Sequence, residues 1–93
     1  MPRFSIVRVR DLVRSVNYVV SLHAAEELED DNLTILDLEN ILLTGRIVER
    51  QKDRRTREAK TVIRGRIIDD REGEAVVKVN LSGVLYVVTV YLV

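Results

Sequence analysis

The sequence has no cysteine, a single histidine and only four aromatic residues, Phe4, Tyr18, Tyr86 and Tyr91, in 93 positions. Without cysteine there is no disulfide framework and no thiolate to bind metal or act as nucleophile, so a reducing, cytoplasmic setting is expected. Scarce aromatics leave few platforms on which unpaired bases can stack. No apolar run approaches the roughly 18–20 residues of a membrane span, and residues 1–22 lack the charged-then-apolar order of an export signal. Neither a membrane anchor nor secretion is therefore expected. Also missing are a glycine-rich phosphate loop, a serine nucleophile elbow and a His-x-x-x-His pair. No cofactor and no metal site is indicated, and the acid pairs Asp30-Asp31 and Asp69-Asp70 read as solvated turns. Net charge is zero, which removes the simplest reason for indiscriminate binding to a polyanion.

What is present points to a folded core. Hydrophobic residues make up 46% and charged residues 32% of the chain, a globular balance. A chain of this length buries only about 60–65% of its unfolded surface and supports one core, so residues 1–93 form a single domain. Charge is unevenly placed. Glu26 to Glu39 carries seven acidic residues and no basic one, whereas Arg46 to Arg66 carries nine basic residues against three acidic.

Val9, Leu12, Val13 and Val16 follow the i, i+3, i+4, i+7 spacing of one helical face, and Asn17 is the expected stop. Tyr18-Val19-Val20 is short and β-branched and reads as an extended connector. Ser21 caps a second helix with Ala24, Ala25 and Leu28 on its apolar side, broken at Asp31-Asn32. Thr34 with Asp37 three residues on is a capping-box-like start for a third helix over 34–44, which buries Ile35, Leu38, Ile41 and Leu42. Gly45 is expected to end it in a left-handed conformation.

Beyond Gly45 the period changes. Residues 46–51, 61–68, 75–81 and 84–92 are β-branched or aromatic runs between polar turns, read as four strands of an antiparallel meander. The expected fold is α+β, with two or three N-terminal helices packed on one face of a four-stranded sheet. A two-residue turn at Ser82-Gly83 pairs Leu81 with Val84, Asn80 with Leu85, Lys78 with Val87 and Val76 with Thr89. Ala75, Val77, Val79, Leu81, Val84, Tyr86, Val88 and Val90 then face the helices. The other face shows Lys78, Asn80, Thr89 and Tyr91 among Val76, Leu85 and Val87, with Arg64 and Arg66 on the Lys78 side. Because Val76, Leu85, Val87 and Val93 then meet water, a homodimer through the C-terminal strand is expected.

Histidine is the residue type suited to proton transfer near neutrality, and His23 is the only one. By residue type alone it serves equally as a structural hydrogen-bond partner. The basic residues at 50–57 read as a solvated hairpin tip or a phosphate-steering loop.

Ser21-Leu22-His23-Ala24, Thr34, Asp37-Leu38-Glu39, Ile41-Leu42, Thr44-Gly45-Arg46-Ile47-Val48-Glu49 and Val87-Val88-Thr89-Val90-Tyr91 resemble the family called domain of unknown function 4258. The resemblance runs from about Val16 to Tyr91 through short motifs. It implies a toxin-type fold shared by colicin-like and RelE-like ribonucleases, in which helices precede an antiparallel sheet whose open face handles RNA. RNA cleavage without metal requires a base, an acid and cations for the phosphorane charge. His23 is the candidate base or acid, Tyr91 the second proton carrier or orienting hydroxyl, Thr89 the substrate-orienting group, and Arg64, Arg66 and Lys78 the RNA-binding phosphate clamp. The alternative is that the arginines are a solvated strand face and Tyr91 is core. The family pattern places arginine three and seven residues beyond the alanine of the His-Ala pair, where this chain has Glu27 and Asp31. Either a phosphate contact is lost there or only surface ion-pair partners have changed.

Two functions follow from different classes. One is a metal-independent, toxin-like endoribonuclease held inactive by an antitoxin protein, with RNA as substrate. The other is a catalytically inactive module of the same fold that binds a protein partner through its acidic second helix.

Overall fold

The computed structural model describes residues 5–52 and 54–93; Phe4 lies outside them. The helix α1 (Ile6–Arg14) is capped by Ser5, whose hydroxyl accepts the Arg8 N–H at 3.3 Å, and it buries Val9, Leu12 and Val13. It ends with Val16 N–H on Val13 O at 3.1 Å and Asn17 N–H on Leu12 O at 2.8 Å, the paired bonds of a Schellman motif. The helix stops short of Asn17, and the left-handed residue is Val16, at φ 58°. A β-branched residue there is strained, since its Cβ crowds the following carbonyl.

Ser21 caps α2 (Leu22–Asp30) by accepting the Ala24 N–H at 3.0 Å. The same termination recurs at its far end, with Asn32 at φ 55°. Thr34 and Asp37 form the expected capping box at the start of α3 (Ile35–Thr44). Ile35 is exposed, so the buried stripe is Leu38, Ile41 and Leu42. Gly45 does not take the left-handed conformation, having φ −82° and ψ 171°. It is needed for space, because a Cβ there would lie 2.5 Å from both Ile41 O and Ile63 Cγ2.

The strands are β1 (Tyr18–Val20), β2 (Arg46–Lys52), β3 (Ala59–Arg66), β4 (Glu72–Val79) and β5 (Leu85–Leu92), ordered β1-β5-β4-β3-β2. The α+β class with helices on one face of the sheet stands. The sheet has five strands, because Tyr18–Val20 pairs parallel to Leu85–Val87; a three-residue run carries too little periodicity to announce a strand. Gly65 and Gly73 are cross-strand partners beneath α3. A Cβ on Gly65 would stand 2.2 Å from Ile41 O, and one on Gly73 2.7 Å from Ile41 Cδ1. The bare pair lets the helix settle on the sheet.

The β4–β5 pairing departs from the expected hairpin. Val76 does face Thr89, but Val77 then faces Val87, Lys78 faces Tyr86 and Val79 faces Leu85, which leaves Val88 as an extra residue in a β-bulge. The turn spans residues 80–84, held by Asn80 Oδ1 accepting from Ser82 N at 3.1 Å and Val84 N at 2.9 Å. A bulge shifts parity along the rest of the strand. Leu85 and Val87 are therefore fully buried in the core with Val90, Ala75 and Val77, Leu81 is exposed, and Tyr86 shares the Lys78 side of the sheet. Val76 is also buried. Of the apolar strip behind the expected self-association, Leu85 and Val87 lie in the core, Val76 is covered by its neighbours on the other face, and Val93 is exposed. Among the described residues no helix is long and apolar enough to cross a membrane.

Candidate functional site

Alternate residues of β4 on the open face, Glu74, Val76 and Lys78, stand opposite Tyr91, Thr89 and Tyr86 of β5. Successive rungs lie about 7 Å apart along β4, two strand residues each. Arg64 of β3 faces Glu74, and Val62 faces Val76. The candidate residues Arg64, Lys78, Thr89 and Tyr91 therefore share one surface.

His23 reaches this surface from its margin. It sits in the first turn of α2, largely exposed, with Nε2 3.5 Å from Glu27 Oε1 one turn later. The same Glu27 oxygen accepts the Thr89 hydroxyl and, at 2.9 Å, the Val90 N–H. Glu27 thereby gathers His23 and Thr89 onto one carboxylate. The helix lies where it does because the free edge of β5 is satisfied step by step. β1 takes Leu85 to Val87, the Ser21 hydroxyl donates to Val88 O at 2.9 Å, and Glu27 completes the edge at Val90. Glu27 is therefore bound to the edge of β5 and is not a free surface charge. Asp31, by contrast, is an exposed residue at the C-cap of α2.

The second cluster centres on Glu74, which is 7% exposed. Its Oε2 accepts from Arg64 Nε at 2.7 Å and stands 2.7 Å from Nη2, and its Oε1 accepts the Tyr91 hydroxyl at 2.5 Å. The Tyr91 bond, with help from Arg64, holds the Glu74 carboxyl below its ordinary range despite burial. Reciprocally, the bond to Glu74, burial and the nearby carboxylates push the Tyr91 phenol up to about 12. Near neutrality Tyr91 is a proton donor, and its phenolate is too scarce to serve as a base. Val48, Glu49, Val62, Arg64, Glu74 and Tyr91 line an open cavity of about 280 Å³ beside this cluster.

Lys78 lies two rungs from Tyr91 and pairs with Glu58 at 2.9 Å. Arg66 is exposed at the end of β3, where its main chain is pinned to α3 by Asn40 Nδ2 donating to Arg66 O at 2.6 Å and by Thr44 Oγ1 accepting from Arg66 N at 3.0 Å. It belongs to a separate shallow hollow with Thr44, Arg46, Arg64, Gly65 and Glu72. The six candidates thus divide into His23 with Thr89, Arg64 with Tyr91, and Lys78 and Arg66 at opposite ends.

The acids organising both pairs are absent from the sequence reading as site residues. Glu74 falls just before the strand expected to start at residue 75, where strand alternation gives it no face. Glu27 carries a usable signal, since it follows His23 by four residues and so shares its helical face.

The family model described as Domain of unknown function (DUF4258) matches residues 20–92, which takes in α2 through β5 and leaves out α1. No curated protein and no solved structure matches the chain.

Proposed function

The chain belongs to the family described as domain of unknown function 4258, and from that premise we propose that it is a toxin-like, metal-independent endoribonuclease of the cytoplasm, restrained by an antitoxin protein. The observation carrying this reading is that Thr89, bound to the Glu27 carboxylate beside His23, shares one face of β5 with Tyr91, whose partner Glu74 also binds Arg64. A proton-transfer group, a phenolic donor and a guanidinium are the three functions that RNA transesterification needs.

In this mechanism His23, oriented by Glu27, takes the proton of a ribose 2′-hydroxyl while the 2′-oxygen bonds to the adjoining phosphorus. The bond from phosphorus to the 5′-oxygen breaks, and that oxygen takes a proton from Tyr91. Arg64 faces the charge that develops on the non-bridging oxygens. Thr89 stands between His23 and Tyr91 and positions the ribose. The products are a 2′,3′-cyclic phosphate and a 5′-hydroxyl. The test is incubation of single-stranded RNA with the protein in excess chelator. Cyclic-phosphate ends that vanish with His23→Ala support the reading, and intact RNA with wild-type protein overturns it.

A second reading is a catalytically inactive module that binds a protein. It is favoured by the neutralisation of Arg64 by Glu74 and of Lys78 by Glu58 in a chain of zero net charge. In that case the acidic α2 is the contact surface, and the RNA assay is silent.

A further inference from the structure

The bulge at Val88 has a chemical effect at the far end of the open face. It turns Tyr86 onto the surface that holds Lys78, its direct cross-strand partner. Tyr86, Lys78, Glu58, Ala59, Val79 and Asn80 line an open cleft of about 320 Å³, within the range of small-molecule sites. Its half-buried phenol ring and neighbouring ammonium are the two groups that hold an unpaired nucleotide without reading its sequence, one by stacking and the other by charge. The Glu58 partner of Lys78 is no barrier, because Glu58 is exposed and a surface ion pair of this kind exchanges readily for a phosphate.

Position adds to composition. The Lys78–Tyr86 rung lies one step from the Val76–Thr89 rung and two from the Glu74–Tyr91 rung, on the same face and about 7 Å per step. A strand laid along β5 with its reacting phosphate between Thr89 and Tyr91 would bring its next nucleotides over the cleft. Resting on the proposed ribonuclease reading, we propose that this cleft is a nucleotide subsite in which Tyr86 stacks a base of single-stranded RNA and Lys78 binds the adjoining phosphate.

The experiment titrates a short single-stranded RNA into the His23→Ala protein, with affinity and tyrosine-ring NMR shifts as readouts. Upfield movement of the Tyr86 ring is expected. Added to His23→Ala, Tyr86→Leu should weaken binding about 5- to 100-fold, whereas Tyr86→Phe, which keeps the ring, should retain it. Lys78→Gln should lower affinity and make its salt slope shallower by about 0.7, which needs no change in the half-buried ring. Binding unaltered by both Tyr86→Leu and Lys78→Gln, or no binding at all, overturns the subsite. Wild-type cleavage separates the two claims. Cleavage with unaltered binding removes the subsite alone, and Tyr86-dependent binding without cleavage removes the catalytic reading alone.

Discussion

Glu27 accepts the main-chain N–H of Val90 at 2.9 Å, so a helical side chain supplies the acceptor that a further strand would have offered to β5. The same oxygen takes the Thr89 hydroxyl. Removing it leaves a partly buried N–H without a partner, which costs about 1–3 kcal/mol. Glu27→Ala should lower stability by that amount in urea denaturation and speed hydrogen exchange of the Val90 amide, while Glu27→Gln keeps an acceptor and most of the stability. Glu27→Arg should behave like the alanine variant.

Gly65 has no room for a methyl group beneath the Ile41 carbonyl, the built Cβ standing 2.2 Å away. Backbone on both sides must shift to admit one. Gly65→Ala is expected to cost about 3 kcal/mol or more, toward the upper end of overpacking effects. A urea midpoint equal to that of the parent protein would refute the close approach of α3.

Val16 offers the opposite change. It is 72% exposed and has φ 58°, so a side chain is held in a strained conformation without compensating burial. Val16→Gly should relieve that strain, less the extra entropy lost by glycine, for a net gain of about 0.5–1 kcal/mol. That gain should raise Tm by roughly 2–8 °C.

Stability should fall at both ends of the pH scale. Asp37 is held below its ordinary 3.8 chiefly by the Thr34 and Ile68 N–H groups, and Glu74 below its ordinary 4.5 chiefly by Tyr91. Lowered folded pKa values mean that their contribution is full above the ordinary values and is lost as pH falls through the lowered ones. Burial and the Glu39 bond push Tyr18 up to about 12, as Glu74 does for Tyr91. Raised values mean that their contribution is full below 10.0 and is lost as pH rises toward about 12. Tyrosinate absorbance should follow alkaline unfolding, and Tyr91→Phe should raise the Glu74 titration measured by carbon-13 NMR.

His23 has 69% of its side chain exposed, so its imidazole adds little to packing. In the ribonuclease reading, His23→Ala should lower RNA cleavage about 100- to 10,000-fold with denaturation unchanged. Cleavage at the wild-type rate would remove His23 from the chemistry.

The sequence by itself determined the features that local chemistry controls. Ser21 and Thr34 begin their helices where their hydroxyls meet an N–H in the next turn, and the stripes Val9, Leu12, Val13 and Leu38, Ile41, Leu42 are buried as their spacing requires. The α+β order and the placement of Arg64, Lys78, Thr89 and Tyr91 on one face were also legible, since strand alternation needs only correct parity at those residues. Tertiary structure decided the rest. Where a bulge falls depends on which core pockets Leu85, Val87 and Val90 can fill together, a non-local matter, and it reversed the faces of Leu85, Tyr86 and Val87. Pairing of β1 with β5 joins distant segments whose short runs have no period of their own. The roles of Glu27 and Glu74 follow from the same cause. A carboxylate's surroundings are set by the strand edge or guanidinium that folding brings to it; the chain alone shows only that Glu27 shares a helical face with His23, and it gives Glu74 no partner.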